Sequence, residues 1–398
     1  MTDLEKFREE TRRWLDANCP DSCCGPDNVL PDIIWGGRLQ QYENEEVRLW
    51  LEKLVGKGWT VPTWPKPYGG AGLSKDEAKI LAEEMLRKDT RSPLYSFGMS
   101  MLAPALMEFA TEEQKLEHLP RIAGGEIRWC QGYSEPGAGS DLASLQCRAV
   151  RDGDDYVVTG QKIWTSSADV SDWIFCLVRT EPNAPKHEGI SFLLIDMATP
   201  GVTTRPIELI SGASPFCETF FDNVRVPVSN RISDENKGWQ VAKALLLHER
   251  TMLAANNRDS RANIDRRSLL QVARDSMETP AGRLSDEALR SEIAQSEMDR
   301  LCYDATLRKH NEARLAGNGM GPEGSMFKLY LSELNQRVAD LRQRLNGAES
   351  LVWDGEDLNE EDNAVTREWL YGKAATILGG TSEVQMNIIS KRVLGLPD

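Results

Sequence analysis

The stretch from Trp129 to Asp141 reads WCQGYSEPGAGSD and marks the point where the pattern of the chain changes. Apolar residues recur at helical spacing before it, whereas β-branched and aromatic residues cluster after it, separated by Gly, Pro, Asp and Asn. Glycines that follow a proline let the backbone lie close to a flat or phosphorylated ligand. The stretch lacks the third glycine and the following helix of a dinucleotide-binding GxGxxG motif. A ligand-binding loop and an ordinary glycine-rich turn are therefore both open at this point.

Helical patterns flank this central β region. Residues 1–128 carry a capping box at Thr2 and Glu5 and a periodic segment from Ser74 to Arg87, whereas β patterns fill residues 129–233. Long helical patterns return over residues 234–398. The sequence predicts an α+β multidomain protein with a helical N-terminal domain, a central antiparallel β domain and a helical C-terminal domain.

Composition excludes several classes of protein. The 398 residues carry 47 Lys and Arg against 62 Asp and Glu, a formal charge of −15, which opposes broad contact with nucleic acid or an anionic membrane. The longest apolar runs, such as residues 190–195, are far shorter than the roughly 20 residues of a membrane span. The N-terminus is charged from its third residue and has no apolar signal segment. We therefore expect a cytoplasmic protein.

Cysteine and histidine spacing does not indicate a metal site. Cys19, Cys23 and Cys24 lie close together in the sequence, but no second pair follows at zinc-finger spacing, and the histidines are isolated. A chain of this length does not depend on disulfides. We predict reduced thiols and no bound metal.

Seven motifs, taken in order, resemble those of the acyl-CoA dehydrogenase flavoprotein family. They are KPYGGAGLS (66–74), EEQKLEHLPRIAGGE (112–126), SEPGAGSD (134–141), GQKIWTS (160–166), FFDNVRVP (220–227), NKGWQVAKALL (236–246) and GGTSE (379–383). The resemblance covers nearly the whole chain. It implies an N-terminal helical domain, a central antiparallel β-barrel and a C-terminal four-helix bundle. FAD would lie between barrel and bundle and be shared with a neighbouring subunit.

The resemblance also implies site residues. The cofactor-binding positions correspond to Gln131, Tyr133, Ser134, Trp164, Thr165, Ser166, Thr381 and Glu383. Substrate contacts fall on Ser140, beside the pantetheine of the CoA ester, and on Arg250. Read without the resemblance, Trp164 is a buried aromatic residue with a hydrogen-bonding serine nearby, and Thr381 is a helix N-cap.

The implied reaction is α,β-dehydrogenation of an acyl-CoA thioester to the trans-2-enoyl-CoA, as in β-oxidation of fatty acids and other lipids. A carboxylate takes the α-proton and hydride passes to flavin N5. Many family members carry this base directly before the Gly-Thr of the C-terminal motif, but here that position is Gly379, whose backbone N–H is implied to bind the thioester carbonyl. A branch that includes the long-chain and isovaleryl enzymes carries the base before an Arg on the first bundle helix, and here Glu249 precedes Arg250.

Helical periodicity supports Glu249 independently. At about 100° per residue it falls within the apolar stripe of its helix, where a glutamate needs a reason to be. Burial there would suit a general base. An ion pair with Arg250, or an exposed position at a helix irregularity, is the alternative.

Two family elements that serve the FAD of an adjacent subunit are incomplete here. The Arg-x-x-Phe-Gly element is replaced by ARDSMETPAGRLSDE (273–287), and Gln-x-x-Gly-Gly-x-Gly is reduced to QRLNGAES (343–350). The chain is thus either a homo-oligomer, a dimer or tetramer, with other FAD contacts, or part of a heterotetramer with a homologous chain. Some dehydrogenases of steroid side-chain degradation are similar heteromers.

Other functions on the same fold remain as alternatives. A flavin monooxygenase or nitroalkane-type oxidase would use oxygen and no thioester, and the Glu249–Arg250 pair speaks against it. A non-catalytic subunit would complete a partner's FAD site. The family implies an electron-transfer flavoprotein as electron acceptor, and the sequence leaves the acyl group open.

Overall fold

The computed structural model describes residues 2–25, 34–255, 269–275, 286–315, 321–351, 353 and 360–397, with the backbone alone for 247–255, 275, 314–315, 349 and 360–363. Contacts divide the chain into two compact units. The first comprises Met1–Ile207 and Pro215–His248, and the second comprises Glu208–Ser214 and Glu249–Asp398. The three-domain division at residues 128/129 and 233/234 stays a prediction. Within the described ranges, no helix is long and apolar enough to cross a membrane.

Helices form the N-terminal part of the first unit. They are α1 (Asp3–Asn18), α2 (Glu45–Gly56), α3 (Lys75–Arg87), α4 (Ala103–Phe109) and α5 (Glu112–Ala123). The predicted capping box at Thr2 is confirmed, since the Glu5 N–H donates to Thr2 Oγ1 at 3.2 Å and the Thr2 N–H donates to Glu5 Oε2 at 2.7 Å. α3 begins the same way, with Ser74 as its N-cap. Local capping chemistry therefore sets where these helices begin.

A buried carboxylate joins α1 to α3. Glu84, only 2% exposed, accepts hydrogen bonds from Arg12 at 2.8 and 2.9 Å, from Arg87 at 2.8 Å and from Arg8 at 3.1 Å. The hydrogen bonds from Arg12, together with those from Arg87 and Arg8, lower the pKa of Glu84 to about 2. The group is therefore ionised at neutral pH and fastens the two helices together.

After these helices the first unit forms an eight-stranded sheet. The strands are β1 (Trp129–Gly132), β2 (Arg148–Asp152), β3 (Asp155–Ser166), β4 (Trp173–Arg179), β5 (Ile190–Asp196), β6 (Val202–Ile207), β7 (Phe216–Pro227) and β8 (Arg231–Ile232). Their order is β6-β7-β3-β2-β4-β5-β8, with β1 alongside β4. The central strands β4 and β5 are almost continuously buried, as their apolar sequences require.

The expected closed antiparallel barrel is wrong in two respects. β1 runs parallel to β4, ending with Gly132 beside Cys176, and β2 meets β4 in parallel at Arg148 and Arg179, so the sheet is mixed. Among the described residues no ladder joins β6 to β8, so the sheet is open. β6 contains Pro206, which lacks an N–H for a further ladder and suits an edge. β8, at the other edge, is only 2 residues long.

The helical part meets the sheet at Asp172 and His118. Asp172 accepts hydrogen bonds from the Arg38 N–H at 3.0 and 3.1 Å and from the Arg128 N–H at 2.8 Å, just before β4 begins. His118 on α5 packs edge-on against Trp129, with ring centroids 5.5 Å apart, and its Nδ1 has no hydrogen-bond partner among the described residues. Burial lowers the pKa of His118, which keeps the ring neutral at this junction.

The second unit is helical, as the sequence predicted. α6 (Gly238–Ala255) runs from the first unit into the second, which also contains α7 (Leu269–Asp275), α8 (Glu287–Leu315), α9 (Gly324–Asn346), α10 (Glu360–Gly372) and α11 (Ser382–Ile388). α9 packs against α7, α8, α10 and α11. The loop 208–214 also belongs to this unit: Arg367 donates to the Ser211 carbonyl at 2.9 Å and lies 4.1 Å from the centre of the Trp353 ring.

Candidate functional site

β1 carries the first group of predicted cofactor residues. Gln131 is half-buried near the end of the strand, and Ser134 is half-buried just beyond it. The Tyr133 ring is buried and lies edge-on to Phe175 and Phe192, at centroid distances of 6.2 and 6.5 Å. The aromatic ring of Tyr133 therefore belongs to the core of the sheet, and a ligand beside this strand would meet its backbone.

The segment after Ser134 is a tight turn. The Glu135 N–H donates to the Ala138 carbonyl and the Ala138 N–H donates to the Glu135 carbonyl, both at 3.0 Å. A Cβ added at Gly137 or Gly139 would meet nothing within 4 Å. Ser140, which follows, is exposed. Packing against the described protein does not require glycine at these two positions, which fits a backbone kept bare for a ligand.

Trp164 is held outward by a β-bulge. The register between β3 and β7 shifts between Lys162 and Thr165, and Trp164 has a φ of +60° and is 52% exposed. A bulky residue in the left-handed region is strained, and bulges commonly re-aim a side chain beside a functional site. The ring is supported on one side by Phe216, edge-on at 6.1 Å. The Trp164 ring therefore presents a large flat surface at a fixed place.

The two residues after Trp164 complete this part of the site. Thr165 is fully buried, and its hydroxyl has no hydrogen-bond partner among the described residues. Ser166 is half-buried at the end of β3, where it pairs with Phe216 on β7. A buried hydroxyl without a partner is costly, so Thr165 is suited to receive a bound polar group.

The structure brings the SEPGAGSD and GQKIWTS motifs together. The Ile163 N–H donates to the Ser134 carbonyl at 2.9 Å, which joins the backbone beside Trp164 to the backbone of the turn. Lys162 reaches across as well, donating to the Tyr133 carbonyl at 3.1 Å and to Glu135 Oε1 at 2.7 Å. The end of β3, together with the end of β1 and the two residues after it, thus carries all six cofactor residues predicted in this unit.

Lys162 and Glu135 were not predicted from the sequence as site residues. Both are buried, and burial alone would lower the pKa of the Lys162 ammonium, but the electrostatic influence of Cys176, Cys147 and Glu135 outweighs it and raises that pKa. The only sequence signal was their location inside two of the quoted motifs. Their pairing across 27 positions could not be read from spacing.

The remaining predicted residues lie in the second unit. The backbone of α6 carries Glu249 and Arg250, whose side chains lie outside the described residues. Gly379 and Gly380 both have left-handed backbone, with φ of +63° and +89°. Gln385 donates to their carbonyls at 3.0 and 3.2 Å, whereas no described residue accepts from the Gly379 N–H.

Thr381 and Glu383 begin α11. The Thr381 hydroxyl accepts from the Val384 N–H at 3.3 Å, so the N-cap interpretation of this threonine is confirmed. Glu383 is exposed, and its pKa is lowered by hydrogen bonds from its own backbone N–H and from Thr381. A capping role for Thr381 does not conflict with a cofactor contact through the same residue.

The two incomplete family elements are only partly visible. Residues 276–285, within the first element, lie outside the described residues. In the second, Gln343 lies in the last turn of α9, and its buried amide nitrogen has no partner among the described residues. In the described ranges, no three His, Cys, Asp or Glu side chains lie close enough together to hold a metal ion.

Models of all three acyl-CoA dehydrogenase domains match the chain: the N-terminal domain at residues 35–126, the middle domain at 130–224 and the C-terminal domain at 236–394. The chain is 35% identical over 400 residues to acyl-CoA dehydrogenase IpdE1 of Mycobacterium tuberculosis, covering 100% of this chain and 99% of that protein. It is 26% identical to the mitochondrial long-chain specific acyl-CoA dehydrogenase of Sus scrofa, covering 98% and 86%.

Solved structures agree with this relationship. The Tcur3481-Tcur3483 steroid ACAD superposes with a TM-score of 0.73 at 30% identity, over 99% of this chain and 97% of that one. A chain of the ChsE4-ChsE5 complex from Mycobacterium tuberculosis gives a TM-score of 0.71 at 29% identity, over 100% and 98%. With matches along its whole length, the chain belongs to the acyl-CoA dehydrogenase family, whose members are oxidoreductases.

Proposed function

We propose that this protein catalyses the FAD-dependent α,β-dehydrogenation of an acyl-CoA thioester to its trans-2-enoyl product. The observation that carries the proposal is the junction between the ends of β1 and β3, here called the flavin edge, where the segments of Ser134 and Trp164 are joined. There an exposed, strained tryptophan lies beside a turn with bare glycines and beside the buried hydroxyl of Thr165, which has no hydrogen-bond partner in the described part of the chain. A flat ring system with hydrogen-bonding edges fits this combination, and an isoalloxazine is such a ring.

Each residue of the edge has a proposed role toward FAD. Bound FAD would supply the two-electron acceptor of the reaction. Trp164 flanks the ring, and Thr165, Ser166 and Ser134 offer hydroxyl groups to its polar edge. Gln131, on β1, and the backbone of Tyr133, just after it, are also proposed to contact the ring. The buried position of the Tyr133 ring supports a backbone contact rather than a stacking one.

The second unit supplies the proposed catalytic groups. We assign Glu249 as the base that takes the α-proton, and the Gly379 N–H as a donor to the thioester carbonyl. Donation to that oxygen stabilises the negative charge that develops as the proton leaves. Two observations support this role: no described residue accepts from the Gly379 N–H, and Gln385 already donates to the Gly379 carbonyl. Ser140 and Arg250 are assigned to the CoA ester.

Thr381 and Glu383 are assigned to the ribityl, diphosphate or adenosine part of FAD. Their support is the family motif that contains them and the exposed position of Glu383 at the start of α11. An electron-transfer flavoprotein is the proposed electron acceptor, by membership of the family.

The visible spectrum of the purified protein tests the reaction. We expect flavin absorbance that bleaches on anaerobic addition of one ester from a panel of acyl-CoAs. Glu249→Gln should keep the flavin and lose nearly all turnover, whereas Glu333→Gln, an exposed acid on α9, should behave as wild type. Full activity of Glu249→Gln would refute the assignment of the base. Rapid reoxidation by air with a substrate lacking CoA would favour a monooxygenase or oxidase.

A heteromeric assembly is the second candidate, with a bulky acyl group as substrate. The two structural neighbours described above are named as pairs of chains, and one is named as a steroid enzyme. The incomplete elements at 273–287 and 343–350 favour the same arrangement, since both serve an adjacent subunit in the family. If this candidate is right, the chain expressed alone is colourless and gains flavin with a homologous partner chain. A yellow homo-oligomer active on straight-chain esters would refute this candidate.

A further inference from the structure

A buried ion pair lies directly behind the proposed flavin edge. Lys162 is fully buried and Glu135 is 8% exposed, with 2.7 Å between Nζ and Oε1. Glu135 also accepts hydrogen bonds from the N–H groups of Gln146 at 2.6 Å and Cys147 at 2.9 Å. Burying two charges is expensive, and a well-packed apolar pair of similar volume often serves stability as well or better. The pair therefore calls for a reason other than stability.

The two charges are attached to the two segments of the proposed site. Glu135 directly follows Ser134, and Lys162 lies two positions before Trp164. Lys162 also donates to the Tyr133 carbonyl at 3.1 Å. Together with the hydrogen bond from the Ile163 N–H to the Ser134 carbonyl, the pair links the turn to the bulge. We call this set of contacts the brace. Loss of the brace would let these segments separate.

We propose that Lys162 and Glu135 are positioning residues of the flavin site: together they fix the spacing of the segments that carry Ser134 and Trp164, and separately their opposite charges bias reduction of the bound flavin in opposite directions. This inference rests on the proposed function, because it needs FAD at this edge.

Electrostatics sets the expected size and sign. Two-electron reduction adds negative charge to a flavin, so a nearby cation favours the reduced form and a nearby anion disfavours it. In the intact pair the two effects largely cancel, and removal of one partner exposes the other. Lys162 Nζ lies 3.1 Å from the Tyr133 carbonyl oxygen and 2.7 Å from Glu135 Oε1. Both charges are therefore about 10 Å or less from a ring in van der Waals contact with the Tyr133 backbone. At an effective dielectric constant of about 20, one charge at that distance shifts the equilibrium about tenfold.

The experiment compares four variants of the FAD-loaded protein, in its homologous complex if it needs one. In Lys162→Met, the equilibrium between oxidised and reduced flavin, measured against a reference dye, should shift about tenfold toward the oxidised form. In Glu135→Gln it should shift by a similar factor toward the reduced form. The double variant should return to within about twofold of wild type. All three should bind FAD about tenfold more weakly, because the brace is broken. The control is Lys186→Met, which removes an exposed lysine paired with Asp141 at 2.9 Å and should change neither quantity.

The outcomes separate the inference from the proposed function. Shifts of the same sign in both single variants, or no shift in Lys162→Met, would overturn the inference while the wild type still binds FAD. If a single variant fails to fold, the double variant decides, since it buries no lone charge: wild-type FAD affinity in it would overturn the brace. A wild type that takes up no FAD, alone or with a partner chain, would refute the proposed function and the inference with it.

Discussion

Gly132→Ala tests how closely β1 is packed beneath the proposed flavin edge. Gly132 ends β1 and directly precedes Tyr133. An added Cβ would lie 2.7 Å from Cδ1 and 3.0 Å from Cγ1 of Ile174, and 3.1 Å from Sγ of Cys176. Both neighbours are fully buried on β4. Gly132 does not have a left-handed backbone, so glycine is required here because a larger side chain would not fit.

The magnitude follows from overpacking. Inserting a methyl group into a filled core costs about 1–3 kcal/mol, and the reduced freedom of the unfolded chain returns about 0.4–1 kcal/mol. We expect a net loss of about 1–2 kcal/mol. Ile174→Val removes the nearest atom, Cδ1, and alone should cost about 0.5–1.5 kcal/mol. The double variant Gly132→Ala with Ile174→Val should be more stable than the sum of the two predicts, by about 1 kcal/mol.

Urea denaturation of the flavin-free protein measures these differences. Gly137→Ala is the matched control, since its Cβ would meet nothing within 4 Å, and we expect it within about 0.5 kcal/mol of wild type. Equal stability of Gly132→Ala and Gly137→Ala, or strict additivity with Ile174→Val, would refute the packing argument. Because β1 leads into Ser134, Gly132→Ala should also weaken FAD binding.

Three further predictions concern stability. Glu84 has a folded pKa of about 2, below its unfolded value of about 4.3, so it stabilises the fold above about pH 5 and this contribution is lost as pH falls toward 2. Glu84→Gln should therefore lower the free energy of unfolding by up to about 3 kcal/mol near neutral pH and by little near pH 2. Urea denaturation at several pH values measures this difference. Burial lowers the folded pKa of His118, so the unfolded chain binds the proton more readily and stability falls as the pH drops below about 6.5. In His118→Phe the melting temperature should change less between about pH 7 and pH 5 than in wild type. An equal pH dependence of the two melting temperatures would contradict this. Gly212→Ala should cost about 1 kcal/mol, because φ is +77° and its Cβ would collide with Arg367; an unchanged melting temperature would contradict it.

Elements set by local chemistry were predictable from sequence. The periodic segment from Ser74 to Arg87 forms α3 together with its N-cap, and the box at Thr2 and Glu5 begins α1 as expected. Apolar periodicity and capping act within a few residues of the chain, so one sequence contains the information. The change of period at Trp129 likewise coincides with the start of β1.

Features that depend on distant parts of the chain were not predictable. Whether a sheet closes depends on which strands become its edges, and the parallel pairing of β1 with β4 joins residues 44 positions apart, such as Trp129 and Trp173. The Lys162–Glu135 pair depends on the same tertiary arrangement. The bulge at Trp164 arises from register against β7, which the sequence of β3 alone does not set. The family motifs contain these positions, but the motifs do not determine which residues pair or where the strand bulges.

The backbone conformation of Gly379 is consistent with a catalytic base on α6 and not in the C-terminal motif. Gly379 occupies the position where many relatives carry the base, and here its φ is +63°. An L-residue in that conformation costs about 1–2 kcal/mol, so a glutamate at this position in this chain would be strained. Gln385 and Lys328 also hold the carbonyl of Gly380, at 3.2 and 2.7 Å, which fixes this tight turn before α11. A turn built this way is suited to offer a backbone N–H, and the carboxylate must then come from another element, which is the role assigned to Glu249.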